Sequence, residues 1–284
     1  MSIVLGAATQ QNLLALQQIN SDLTTTQNAL ATGLKVSSAV DDAVKYFESQ
    51  SLGNRATDLT TRKDAIDQGV SSVTTATQGI QSAISVLQQL QGIVQSAKTE
   101  TASQRASAGS QFATLSAQLN QLLNDSSYQG LNLLNSSNAA LTLQFSQSSS
   151  STLKVKGQNL LVSKAFTQGV AASKMASALA GAKFSVVSNL TSKFDNAYTF
   201  VGNAISNFQA SAATLGSNVS FLQTRLSFTS QYITTLQGGS SKLTVADVNT
   251  ESTNLVTLQT RQQLAIPSLS IATQSEQAVL RLFH

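Results

Sequence analysis

The chain has 284 residues, enough for two domains, with a net charge of +4, no cysteine, no tryptophan, one proline (Pro267) and one histidine (His284). Without thiols there is no disulfide framework, thiolate metal site or cysteine nucleophile, and one histidine excludes a multi-histidine metal centre and argues against a histidine-based triad. Charged residues are only 11% and basic residues are scattered rather than clustered, so the polar positions belong to Ser, Thr, Gln and Asn and no nucleic-acid patch stands out.

No run of 18 apolar residues occurs, so no membrane span is expected. Met1 to Gln18 has neither a basic start nor a continuous apolar block, as a cleaved signal would need. The expectation is a cytoplasmic protein, or one that leaves by a route without a cleaved signal.

The first segment, residues 3–34, carries Leu16, Ile19, Leu23, Thr26, Leu30 and Gly33 at alternating steps of three and four. That is a heptad stripe on a helix, with Thr32-Gly33 ending or loosening it. Residues 34–42 read as irregular, with Ser37 or Ser38 available to cap the next helix. Residues 42–98 read as a long helix, with a break at Gly53, on Val70, Val73, Thr77, Ile80, Ile84, Leu87, Gln91 and Val94. A shorter helix over 103–124 aligns Phe112, Leu115, Leu119 and Leu122.

Asn124 to Ser127 is a loop cluster, and Tyr128-Gln129-Gly130 turns the chain. Leu141–Phe145 and Leu153–Lys156 alternate apolar and polar residues around a serine-rich turn, which predicts a β-hairpin. Residues 169–182 are small and polar and fit a short helix or a loop. From Ser126 to Phe194 there is no acid but there are six lysines: Lys154, Lys156, Lys164, Lys174, Lys183 and Lys193. They are too dispersed to favour an acidic partner over a solvated lobe.

The longest pattern runs from Val187 to Leu236. Val187, Leu190, Phe194, Ala197, Val201, Ile205, Phe208, Ala212, Leu215, Val219, Leu222, Leu226, Ile233 and Leu236 share one face, interrupted only by Thr229. Gly238-Gly239 should stop that helix. Roughly 50 residues at about 1.5 Å each give a rod of about 75 Å, longer than a globular domain uses. One narrow stripe cannot bury itself, so partner helices are required. The last segment, Leu243 to His284, places Val248, Leu255, Leu258, Gln262, Ala265, Leu269, Ala272, Glu276, Val279 and Phe283 on a further stripe, with a kink expected near Ile266 from Pro267.

These motifs resemble the bacterial flagellins, of the short kind with a minimal outer region. Leu30, Thr32-Gly33-Leu34-Lys35-Val36, Ser38-Ala39 and Asp41-Asp42-Ala43 fill the family's N-terminal pattern, and Tyr128-Gln129-Gly130 its aromatic-x-Gly before the hairpin. Ala246 to Thr253, Leu258 to Leu264 and Val279 to Phe283 resemble its C-terminal region. The resemblance covers about 1–130 and 190–284.

It implies a mainly α fold, a long-helix coiled-coil bundle with a small β-hairpin region. An inner coiled-coil domain would comprise 1–35 and 243–284, a long-helix domain 36–130 and 186–242, and a small outer insertion 131–185. Gly33, Lys35, Ser38, Asp41, Asp42 and Arg261 are the motif positions. The implied function is a structural subunit that polymerises into the flagellar filament for motility, with a hook–filament junction protein as the alternative. Implied partners are copies of itself, the flagellar cap and hook-junction proteins, an export chaperone and the type III export apparatus. No cofactor, enzymatic activity, nucleic acid or membrane span is implied.

The helical seams give Leu16, Ile19, Leu23, Leu30, Leu255, Leu258, Leu269, Val279 and Phe283 as expected polymerisation and inner-core residues. Where flagellins sensed by Toll-like receptor 5 carry an arginine-rich stretch, this chain has Gln88-Gln89-Leu90-Gln91-Gly92-Ile93. A weak response of that receptor is therefore expected.

Overall fold

The computed structural model describes residues 7–161 and 190–282. Among them, five helices and four strands run in the order α1 (Ala7–Thr32), α2 (Ala43–Ala97), α3 (Ala102–Asp125), β1 (Ser127–Tyr128), β2 (Leu131–Asn132), β3 (Ala140–Gln144), β4 (Thr152–Lys156), α4 (Leu190–Thr244) and α5 (Val248–Leu282). They divide into two compact units: one formed by 1–57 with 233–284, the other by 58–232. Val187, Lys164, Lys174, Lys183, residues 169–182 and Phe283 lie outside the described residues.

The 58–232 unit is held by three helices whose buried residues recur every seventh position. Val73, Ile80, Leu87 and Val94 do so on α2, Phe112 and Leu119 on α3, and Val201, Phe208, Leu215 and Leu222 on α4; all are buried in one core. A strict seven-residue repeat keeps a seam facing its partners when helices wrap with a left-handed supercoil. Each large side chain buried this way contributes on the order of 1.5–3 kcal/mol. Thr229 interrupts the stripe yet is buried, because its hydroxyl donates to the Arg225 carbonyl one turn earlier at 2.8 Å.

Two hairpins close this unit. β3 and β4 pair antiparallel with Leu141 opposite Val155 and Leu143 opposite Leu153. Leu143 and Val155 enter the core while Lys154 and Lys156 stay exposed, the alternation expected of a half-covered sheet. Gly69 of α2 makes room: a Cβ there would collide with the Leu143 methyls. β1 and β2 flank a two-residue turn at Gln129-Gly130, both with positive φ (49° and 81°), the geometry that matches strand twist. α3 starts with a capping box between Thr101 and Gln104, and Lys98 ion-pairs with Asp195.

In the other unit, α1 packs along α5. α1 ends at Gly33, whose φ of 70° is the left-handed turn a helix C-terminus favours. The chain then crosses the link between α4 and α5. The Lys35 and Val36 N–H groups donate to the Thr244 carbonyl at 2.7 and 3.2 Å, and the Ala246 N–H donates to the Gly33 carbonyl at 2.9 Å. Ser49 of α2 and Ser240 of α4 hydrogen-bond through their hydroxyls at 2.8 Å.

Three expectations change. α2 runs through Gly53 without a break. α4 runs past Gly238-Gly239 to Thr244. Two glycines cost a helix on the order of 2 kcal/mol relative to alanine, and the helix runs on with Leu52 of α2 beside Gly239, 3.4 Å from where a Cβ would stand. α5 carries Pro267 in its interior and is helical on both sides of it. Finally, Asp42 rather than Ser37 or Ser38 caps α2, accepting from the Lys45 N–H at 3.0 Å.

Candidate functional site

No group of three or more His, Asp or Glu side chains is placed to hold a metal among the described residues, and none of their helices is long and apolar enough to cross a membrane. The chemistry of this chain lies in its surfaces. The α1–α5 seam differs from the seven-residue core of the 58–232 unit. Leu16, Ile19, Leu23 and Leu30 of α1, and Leu255, Leu258 and Leu269 of α5, are all only half-buried. Each helix therefore covers its partner on one side and leaves part of the same stripe open. Val279 belongs to α5.

The far side of α5 carries a second stripe that the sequence reading missed. Val256, Leu264 and Ile271, at steps of eight and seven, are 62%, 68% and 64% exposed. Their spacing returns them to one face of an α-helix, so the signal was present. Leu13 and Leu14 of α1 are exposed as well. Between these helices, polar groups supply specific contacts. Gln262 Nε2 donates to Asn20 Oδ1 at 2.7 Å, and a groove is lined by Asp22, Thr25, Thr26, Asn254, Thr257, Leu258 and Arg261.

Five of the six motif residues come together where the chain leaves α1. Gly33 and Lys35 bond to the α4–α5 link through their backbones. Asp41 Oδ2 accepts from the N–H and hydroxyl groups of Ser37 and Ser38 at 2.9–3.1 Å, folding the loop around one carboxylate. Asp42 caps α2 and pairs with Lys45 at 2.8 Å. Arg261 stands apart in the groove on α5. Asp247, within the Ala246–Thr253 stretch that carries the C-terminal resemblance, caps α5 through the Asn249 and Thr250 N–H groups at 3.0 and 3.4 Å.

The three carboxyls sit below the ordinary carboxylate value of 3.8. The causes are the Ser37 hydroxyl and the Ser37 and Ser38 amides for Asp41, the Lys45 side chain and amide for Asp42, and the Thr250 hydroxyl with the neighbouring amides for Asp247. A carboxyl depressed on folding stabilises the fold above its unfolded value, and that contribution is lost as pH falls through the depressed value. Acid below 3.8 should therefore loosen the turns at the starts of α2 and α5 before the apolar core of the 58–232 unit. Proteolysis by pepsin over a pH series checks this: the first cuts should fall in these turns.

The family model described as the bacterial flagellin N-terminal helical region matches residues 5–139, and that of the C-terminal helical region matches 198–283. Flagellin C of Rhizobium meliloti is 29% identical over 319 residues, covering 100% of this chain and 99% of its own. The flagellin of Brucella melitensis is 28% identical, with 100% and 99% covered. Flagellin FljK of Caulobacter vibrioides is 27% identical, with 96% of each chain covered. A protein from Vibrio parahaemolyticus described as flagellar hook-associated shares the fold, with a TM-score of 0.60 at 10% identity over 72% of this chain and 100% of that one. With both terminal helical regions matched in order and full-length relatives on either side, this chain belongs to the bacterial flagellin family, structural proteins of the flagellar filament.

Proposed function

We propose that this chain polymerises into the flagellar filament and serves motility. The observation that carries this reading is the contrast between its two units. The seventh-residue series Val73 to Val94, Phe112 to Leu119 and Val201 to Leu222 is sealed inside the 58–232 core, whereas the α1–α5 seam is half-open and the far side of α5 is apolar. A monomer cannot finish that seam, but neighbours in a lattice supply the missing cover, so ordering is coupled to assembly. Leu16, Ile19, Leu23, Leu30, Leu255, Leu258, Leu269, Val279 and Phe283 are the proposed polymerisation residues. They fall in an inner domain of 1–35 with 243–284, around which 36–130 and 186–242 form a second layer and 131–185 an outer insertion.

Low charge in the terminal helices lets many copies surround one axis without repulsion, and Gln and Asn hydrogen-bond between them. The chain is exported unfolded through the flagellar type III apparatus, with a chaperone holding α5, and added at the tip beneath the cap. Absence of cysteine suits that passage, since no cross-link can form on the way. A filament subunit and a hook–filament junction protein differ in number. In appendages sheared from the cell surface, this chain should be the dominant protein by mass; presence as a trace component would favour the junction role.

A further inference from the structure

Among the described residues, each unit exposes a further apolar face, and the two faces carry opposite charges. At the start of α2, Val44 and Phe47 are 75% and 63% exposed, with the exposed Glu48 beside them. Tyr46 meets Phe47 edge-on at 5.5 Å and steadies its ring. The Glu48 side chain forms no hydrogen bond or ion pair among the described residues.

On α4, Phe221 and Phe228 are 46% and 54% exposed, and Arg225 lies between them on the same helix face. Its guanidinium carbon stands 4.5 Å from the Phe145 ring centre and 5.7 Å from that of Phe228. One terminal nitrogen donates to the Ser151 hydroxyl at 3.3 Å, while Nε is buried with no hydrogen-bond partner among the described residues. No carboxylate pairs with Arg225 among the described residues. The guanidinium is thus held in place by rings and left without a counter-ion, which is a site for an acid flanked by apolar groups.

We propose that the Val44–Phe47–Glu48 face of one copy docks on the Phe221–Arg225–Phe228 face of the next. The occupant is identified by charge and by its surroundings. Asp41, Asp42 and Asp247 are engaged in their turns, Asp58 and Asp195 in ion pairs, and Asp22 and Glu251 in hydrogen bonds. Among the described side chains, Glu48 alone is an exposed, unpartnered carboxylate beside large exposed apolar residues. The two faces differ, so the contact is head-to-tail and repeats without closing on itself. The inference rests on the self-assembly reading and names a contact outside the α1–α5 seam.

The test uses charge reversal in the full chain. Glu48→Arg and Arg225→Glu should each raise the concentration needed for seeded fibre growth by more than about tenfold, with helix content unchanged. An equimolar mixture of the two variants should assemble with both in equal amounts, because each then offers the charge the other needs. Fibres from either variant alone at the parent's concentration, or a mixture that stays monomeric although both variants are folded, overturns the docking. If Arg225→Glu loses helix, Glu48→Arg decides alone, since its side chain bonds to nothing among the described residues. An unmodified chain that forms no seeded fibres overturns self-assembly and the docking together; a parent that grows while Glu48→Arg grows equally well overturns only the docking.

Discussion

Leu258→Asp in the full-length chain should give a helical monomer that makes no fibres. Leu258 sits half-buried on the α1–α5 seam, in the groove that also holds Asp22. A second carboxylate there must either stay in water, which opens the seam, or enter an apolar interface at a cost of several kcal/mol. About 1.4 kcal/mol is already a tenfold change in an association constant, so the effect on polymer growth should exceed two orders of magnitude. The core of the 58–232 unit contains no part of this seam and should keep its stability. Sedimentation of seeded reactions measures the loss, and circular dichroism checks that the helices remain. Fibres from this variant at the parent's concentration would remove Leu258 from the assembly surface.

Much of the architecture was legible because helices and strands bury residues with different periods. Val73, Ile80, Leu87 and Val94, and their counterparts from Val201 to Leu222, announce their helices and their burial by spacing alone. The β3–β4 hairpin was visible in the alternation of Leu141, Leu143, Leu153 and Val155. What escaped was decided by contacts that residue type alone does not announce. Gly238-Gly239 reads as a stop, yet α4 continues with Leu52 of α2 packed beside Gly239. Thr229 reads as a flaw in a stripe, yet its hydroxyl is satisfied by its own helix.

The turn between α1 and α2 shows the same limit. Ser37 and Ser38 are reasonable capping residues by type. The fold instead spends their donors on Asp41 and leaves the cap to Asp42. The same loop is also pinned by the Thr244–Ala246 link, which pairs with Gly33, Lys35 and Val36 from more than 200 residues away in sequence. The docking faces were missed for a different reason. Val44, Phe47, Phe221 and Phe228 lie off the buried stripes, and only their exposure marks them as surfaces awaiting a partner.

The coupling of terminal order to assembly is open to direct measurement by amide hydrogen exchange on one sample, first as dilute monomer and then as fibre. Exchange reports the free energy of local opening, from near zero for a frayed segment to the global stability for a sealed core. Peptides from α2, α3 and α4 around Ile80, Phe112 and Phe208 should be protected in both states. Peptides from α1 and α5 around Ile19 and Leu258 should exchange within seconds in the monomer and slow by at least about a thousandfold in the fibre, as about 4 kcal/mol of neighbour contacts arrives. Terminal helices already as protected in the dilute monomer as the Phe208 core would contradict the claim that sister molecules complete them.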